Sequence, residues 1–464
     1  MSPECQNCEA LVELKKEIAA LRNKISSLEA DIAKSRKNSS NSSKPPSSDI
    51  IKPPKPLLPD GKKREAGGQP GHERHERTPF AADEIDRIIP HFPRVCPHCG
   101  SDRIKPGEFV KKKQRVDLPE KPIIIEEHHA HSGRCVGCGR EVKAEFPAEI
   151  ENGSLFSPRM AAHAAFLKGA GHMSYTGIAD YLKNVFHIPV SRGHIVNEMK
   201  NVGDALDAPY DEMLSRLPEE KNLNIDETSH RENGKLPWTW VFRSDLFALY
   251  RICDSRGAKV LHDTLGKGYD GIIGCDYYGA YRKFNDESNA RIQFCMAHLS
   301  RDVKFLEEHP DRVTANYGGR VAKRLRRLFR VKHKHGEMTA EKYASAIRSA
   351  GDELAAAAIK APVRGEARNM ANRFREYKEE YLRFVTTPGL EPTNNAAERA
   401  LRFVVIDRKV TQGTRGEWGR RFCERIWSVV GTCRMRGQSI FEYLVNAVKS
   451  HYNGLPIPSL INST

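Results

Sequence analysis

Two short apolar runs that each end in an aspartate constrain this chain more than any other feature. Leu223-Asn224-Ile225-Asp226 is one, and Gly271-Ile272-Ile273-Gly274-Cys275-Asp276 is the other. Such runs, bounded by polar residues, read as buried strands. Between them, Trp238 to Phe242 and Leu246 to Ile252 are β-rich stretches joined through Arg243-Ser244-Asp245 as a hairpin, and Gly257 to Leu265 has a helical pattern. Ile292 to Cys295 is a further strand that runs into a helix after His298.

The order is therefore three antiparallel strands, a helix, a strand, a helix and a strand, which is that of the RNase H-like fold. There the first and fourth strands lie side by side, so Asp226 and Asp276 are expected to meet at one edge. Glu227 should point to the opposite face of its strand and is set aside. A third carboxylate must come from a later helix, and Glu398 lies in one whose buried side is Ala397, Ala400, Leu401 and Val404. Glu398 has a structural reading too: Asn395-x-x-Glu398 is a capping-box spacing, and Glu398 to Arg402 is a favourable i,i+4 pair. Two strand-end aspartates that need a partner favour the chemical reading. Mg²⁺, or Mn²⁺ in its place, takes oxygen ligands, and two such ions about 4 Å apart clamp a phosphodiester for in-line displacement. The expected catalytic and metal-binding set is Asp226, Asp276 and Glu398.

With 464 residues, the chain allows roughly three domains. The fold class expected is multidomain α/β: an RNase H-like mixed-sheet core with a helical insertion, preceded by a coiled coil, a zinc ribbon and a helix-turn-helix-like helical domain. Residues 1–36 hold the coiled coil. Leu11, Leu14, Ile18, Leu21, Ile25, Leu28 and Ile32 repeat at alternating intervals of three and four, with Ile predominating at a and Leu at d, which favours a parallel dimer. Glu17 with Arg22, and Lys24 with Glu29, would flank the seam; an amphipathic helix packed on its own chain is the alternative. Residues 37–89 read as a disordered Ser/Pro/Lys linker.

The zinc ribbon is placed at 90–150. Cys96-Pro97-His98-Cys99-Gly100 and Cys135-Val136-Gly137-Cys138-Gly139 each offer two thiolates on a tight turn, and four cysteines make a closed, structural Zn²⁺ site. Strand-like runs at Glu108-Phe109-Val110 and Ile123-Ile124-Ile125 lie between them. A third pair, Cys5 and Cys8, reads as free thiols or as a zinc shared by two copies. Residues 151–215 form the helical domain. Ser157-Pro158 opens its first helix, and Phe186-His187-Ile188-Pro189 breaks the second. Ser191 caps a third, with Arg192, His194 and Asn197 on a possible DNA face; an ordinary helical bundle is the alternative. The catalytic domain spans 216–434 with a helical insertion at about 305–390. Arg320, Lys323, Arg324, Arg326, Arg327 and Arg330 cluster there, either to grip DNA, with Arg324 and Arg327 as contacts, or as a solvated face. His298 suits a phosphate, the metal shell or a buried structural role. Residues 435–464 are expected to be a C-terminal helix and tail.

Lys and Arg number 75 against 60 Asp and Glu, a net charge of +15, which suits a polyanion such as double-stranded DNA. Arg399 and Arg402 beside Glu398 are further candidate contacts. The sequence has no stretch long and apolar enough for a membrane span and no signal-peptide core. A cytoplasmic, nucleoid-associated bacterial protein without membrane contact is therefore expected.

Taken together, the motifs resemble the insertion sequence sixty-six transposase family. The resemblance rests on the N-terminal zipper, Asn41-Ser42-Ser43-Lys44-Pro45-Pro46-Ser47-Ser48-Asp49, Gly67-Gly68-Gln69-Pro70-Gly71-His72 and the zinc ribbon. It continues through Cys295-Met296-Ala297-His298, Thr393-Asn394-Asn395-x-x-Glu398-Arg399-x-Leu401-Arg402 and Gly413-x-Arg415-Gly416. It implies a DDE transposase that cuts and joins the ends of an insertion sequence, with the family's triad on Asp226, Asp276 and Glu398. The zipper calls for a homo-oligomer, at least a dimer, and the resemblance adds the possible company of small accessory proteins. The sequence departs from the family at Tyr277, where Gly usually follows the Asp, at Ala280, where Gly usually precedes the last Tyr, and at Ser300, where a second Arg is common. Two other readings remain: a DNA-binding regulator with an inactive catalytic domain, and an RNase H-like nuclease that cuts without joining.

Overall fold

A computed structural model of the chain describes residues 3–42, 78–105, 107–108 and 110–462. It divides into two units, residues 54–127 and residues 1–53 with 128–464. In the smaller unit, Phe80 and Gln114 exchange two hydrogen bonds, Phe80 N to Gln114 Oε1 at 2.8 Å and Gln114 Nε2 to Phe80 O at 2.9 Å. The first cysteine turn closes through Gly100 N to Cys96 O at 2.9 Å, with Gly100 at φ 72°. The strand expected at 123–125 does not form, and Phe109, at the centre of the run expected at 108–110, lies outside the described residues. Ile124 and Ile125 are largely exposed, and a β-branched run becomes a strand only where a neighbour pairs its backbone.

The larger unit begins with α1 (Pro3–Ser35), along which all seven seam residues are exposed, between 40% and 55%. The linker expected from residue 37 starts differently. Residues 37–42 fold into a turn in which Asn38 Oδ1 accepts from Ser40 N at 2.8 Å and Ser42 Oγ donates to Asn38 O at 2.6 Å. Local side-chain bonds of this kind are what Asn and Ser offer a tight turn. The turn docks through Asn41 Nδ2 to Glu308 at 3.1 Å and Lys37 at 4.4 Å over the Phe305 ring. The rest of the expected linker, residues 43–77 with the Gly67–His72 motif, lies outside the described residues, as do the side chains of Cys5 and Cys8.

The second cysteine turn sits in a small antiparallel hairpin of β1 (Ser132–Arg134) and β2 (Glu141–Lys143). Gly139 N bonds Cys135 O at 2.8 Å, with Gly139 at φ 70°. The helices that follow are α2 (Ala148–Glu151), α3 (Pro158–Gly169), α4 (Tyr175–Phe186), α5 (Arg192–Ala205) and α6 (Asp207–Arg216). Ser157, Ser174 and Ser191 cap α3, α4 and α5 by accepting from Met160 N, Gly177 N and His194 N. His187, in the left-handed region at φ 59°, ends α4.

The central sheet comprises β3 (Asn222–Ser229), β4 (Trp238–Arg243), β5 (Ala248–Cys253), β6 (Ile272–Cys275) and β7 (Arg291–Phe294), with α7 (Lys259–Leu265) and α8 (Gly279–Glu287) between the later strands. Its order is β5-β4-β3-β6-β7. β3 pairs antiparallel with β4, Asp226 opposite Val241, and parallel with β6, Asn224 opposite Gly274. The first and fourth strands of the sheet are thus neighbours, as the sequence order predicts.

An insertion of α9 (Met296–Glu307), α10 (Arg312–His333), α11 (Ala340–Ile359), α12 (Gly365–Glu376) and α13 (Lys378–Thr386) covers the β7 edge. There Arg383 Nε donates to Ile292 O at 2.8 Å. After α14 (Asn395–Thr411), helix α15 (Glu417–Arg436) covers the opposite edge. Glu424 Oε1, Ser428 Oγ and Thr432 Oγ1, one turn apart on α15, accept from Ile252 N, Tyr250 N and Ala248 N at 2.6, 3.0 and 3.1 Å. Both edges are thereby closed to other strands.

The C-terminal helix α16 (Ile440–Tyr452) is not a separate tail. It packs on α3 and α5, with Arg159 3.1 Å from Glu442, so the helical domain is completed by a helix more than two hundred residues later in the sequence. Buried Asp407 of α14 meets Lys168 at 3.7 Å and His172 at 3.5 Å, tying that domain to α14.

Candidate active site

Asp226 lies within β3, and Asp276 is the first residue beyond β6. Parallel pairing of the two strands brings the carboxylates close enough to act on each other. Burial pushes the Asp226 carboxyl well above its ordinary value, and the charges of Glu227, Asp276 and Glu398 add to the shift. Asp226 Oδ1 accepts from Glu227 N, and Asp276 Oδ1 from Tyr278 N, both at 2.9 Å.

Glu398 stands on the first turn of α14. The residue at the N-cap position is Asn394 rather than Asn395, and its side chain makes no cap bond. The Glu398 carboxylate turns instead toward His298 Nδ1 and Arg301, 3.6 Å from each. Burial, with the Arg301 charge, lowers the His298 pKa, against the pull of Glu398 and Asp276.

Two clamps hold α14 along β3. At its start, buried Asn394 donates from Nδ2 to Ile225 O at 2.7 Å and accepts from Asn224 Nδ2 at 2.9 Å, while Asn394 N reaches Cys295 Sγ at 3.1 Å. At its end, Thr414 N bonds Arg231 O at 2.9 Å. Gly413, at φ 88°, makes that second approach possible, since a Cβ there would lie 2.1 Å from Arg231 O. The Asn394 and Gly413 motifs noted in the sequence are therefore the two ends of one fastening.

Glu227 lies on the face of β3 opposite Asp226, as strand alternation predicts, but it is not a bystander. It is buried, accepts from Arg256 Nε at 2.8 Å and from the Tyr281 hydroxyl, and feels the charge of Asp276. Arg256 in turn lies 3.9 Å over the Tyr278 ring, so Glu227 braces the loop that begins at Asp276. Strand alternation alone hid this role, because the buried cation arrives from residue 256. Tyr277 is held between the guanidinium groups of Arg282 at 4.5 Å and Arg373 at 4.0 Å.

The candidate DNA contacts divide. Arg192 and Asn197 are exposed on α5, but His194 turns inward, its ring 4.8 Å from Phe156 and its Nε2 3.4 Å from buried Glu198. Arg324 and Arg327 both pair with Glu353 of α11, the former at 2.8 Å, so they join two helices of the insertion rather than offer free charge. Arg399 and Arg402 are exposed. Arg399 lines a cleft of about 270 Å³ with Arg243 and Arg434, over a floor that includes Tyr250, Ala400 and Phe403.

The acidic set fits a divalent cation. One buried oxygen of Glu398 has no hydrogen-bond partner among the described residues, and like charges crowd around Asp226. The cysteine turns suit thiolate chemistry separately. Backbone amides, first that of His98 for Cys96 and that of Cys138 for Cys135, hold both thiols below their usual value.

The mixed α/β fold, with its five-stranded sheet and flanking helices, fits a transposase, a DNA-processing enzyme. Residues 153–421 match the Transposase IS66 family, and the chain belongs to that family. Residues 1–78 match a family of unknown function. The chain is also 27% identical over 433 residues to Uncharacterized protein y4qI of Sinorhizobium fredii (strain NBRC 101917 / NGR234), covering 85% of this chain and 77% of that protein. No helix among the described residues is long and apolar enough to cross a membrane.

Proposed function

We propose that this transposase binds the ends of an insertion sequence and catalyses metal-dependent strand cleavage and strand transfer with Asp226, Asp276 and Glu398. The observation that carries the reading is the convergence on buried Asp226 of the charges of Asp276, at the end of the adjacent strand, and of Glu398, on the clamped helix. The three carboxylates would hold Mg²⁺ or Mn²⁺. Bound there, the metal supplies activation of the attacking hydroxyl and neutralisation of the leaving 3′ oxygen. Asn394 fixes the height of Glu398 against β3, His298 and Arg301 orient its carboxylate, and Glu227 with Arg256 braces the Asp276 loop. Cys96, Cys99, Cys135 and Cys138 would hold one structural Zn²⁺, and the exposed α1 seam would pair two copies, placing two active sites on two DNA ends.

The test is cleavage and joining of a labelled duplex carrying the element's own end. Asp226→Asn, Asp276→Asn and Glu398→Gln each keep side-chain shape and remove one charge, so each should abolish both steps while leaving DNA binding nearly unchanged. Asp245→Asn, exposed in the β4–β5 turn, is the control. Wild-type cutting by Glu398→Gln would overturn the assignment of the third carboxylate. Glu391 and Glu424 would not readily replace it: Glu391 pairs with Lys332 at 3.1 Å, and Glu424 is committed to the β5 edge.

A further inference from the structure

We propose that Cys295, His298 and Glu398 form a second kind of cation site, one for a borderline-soft divalent ion of the zinc class. One ligand atom from each of the three lies within 4.8 Å of the others. Cys295 ends the β7 run, His298 follows three residues later on the first turn of α9, and Glu398 reaches in from α14. The placement is fixed by the same fastening as the carboxylates, since Cys295 Sγ accepts from Asn394 N.

Two features point to a ligand. His298 Nδ1 and Glu398 Oε1 stand 3.6 Å apart, and neither has a hydrogen-bond partner among the described residues. Buried polar atoms left in this way are rare and call for an ion or a water. The donor types then choose between ions. A sulfur, a ring nitrogen and one carboxylate oxygen suit zinc, with its fourth position left open, whereas Mg²⁺ takes oxygen. Arg301, 3.6 Å from the other Glu398 oxygen, is a local cation that opposes binding. Binding releases the Cys295 thiol proton to solvent.

Glu398 belongs to both sites, so a zinc-class ion on Cys295 and His298 withdraws it from Asp226 and Asp276. Strand cleavage should therefore be inhibited reversibly by such an ion. That consequence rests on the functional reading above; the ion site does not.

The experiment uses the full chain carrying one equivalent of zinc, titrated with Co²⁺ and followed by the near-ultraviolet thiolate-to-cobalt absorption. One further equivalent should bind and raise that band. Cys295→Ser should abolish the band, and His298→Asn should weaken Co²⁺ binding by about 100-fold or more, since even the loss of an outer partner costs about 10- to 100-fold. Absence of a new band in the wild-type chain, or its persistence in Cys295→Ser, overturns the proposal. If Cys295→Ser does not fold, wild-type affinity in His298→Asn overturns it equally. A Co²⁺ site that binds as expected in a chain without cleavage activity would instead count against the functional reading.

Discussion

The side-chain amide of Asn394 donates a 2.7 Å hydrogen bond to the carbonyl of Ile225, the residue immediately before Asp226. One bond thus couples the strand that carries one candidate ligand to the helix that carries another. Replacing Asn394 with Ala leaves the Ile225 carbonyl and the Asn224 amide without partners in a buried setting, at about 1–3 kcal/mol for each orphaned group. Asn394→Ala should lower the unfolding midpoint and reduce cleavage further than the loss of folded protein explains. Asn394→Asp should not rescue it, because a carboxylate offers the Ile225 carbonyl no donor. Denaturation curves beside cleavage rates at a temperature where both proteins are folded decide it; a stability loss with unchanged rate would sink the positioning role.

The strand order and the two aspartates were legible because buried strands write their apolar run directly into the sequence. Glu398 was legible only through its partners, since its local spacing also reads as a cap. The clamps were not. Asn394 looks like an ordinary helix-start residue until Ile225 and Cys295 arrive from more than ninety residues away in sequence. His194 and Arg324 misled for the same reason: a polar side chain on a helix declares its face only when Phe156 or Glu353 is in place.

Gly413 should be intolerant of any side chain. Its φ of 88° is unfavourable to L-residues, and a Cβ would meet Arg231 O at 2.1 Å. Gly413→Ala should destabilise the protein by more than the roughly 1 kcal/mol of an ordinary glycine replacement. Gly365→Ala, on the first turn of α12 with nothing within 4 Å of its Cβ, should be close to neutral. Equal midpoints for the two variants in urea would contradict the fastening at this end of α14.

Glu424 carries a pH signature. Burial raises its pKa from 4.5 to about 7, against the pull of Ile252 N–H and nearby arginines. The folded chain therefore holds the proton more firmly than the unfolded one. Stability from this group is full below about pH 4.5 and is lost as the pH rises to about 7, a change of about 3 kcal/mol. Glu424→Gln keeps an oxygen for the Ile252 amide and cannot ionise, so it should gain stability relative to wild type between pH 4 and pH 8. A difference between the two proteins that stays flat across that range would refute the shift.

The arginine cleft beside α14 yields the last prediction. Arg243 is half-buried, and its pKa is lowered by burial and by the charge of Arg399. Arg243, Arg399 and Arg434 form no ion pair among the described residues, although they line one cleft of about 270 Å³. Uncompensated cations held together are costly unless an anion joins them. On the functional reading, that anion is a phosphate of the DNA backbone. Each phosphate contact adds about 0.9 to the slope of log affinity against log salt on duplex DNA. Arg243→Gln and Arg434→Gln should each lower that slope by about one and weaken binding to end and random duplexes alike, since phosphates carry no sequence. Arg324→Gln should leave the slope unchanged, because Arg324 already pairs with Glu353, and should loosen the insertion instead. Equilibrium titrations at three or more salt concentrations separate these outcomes. An unaltered slope in both cleft variants would mean that DNA passes elsewhere on the surface.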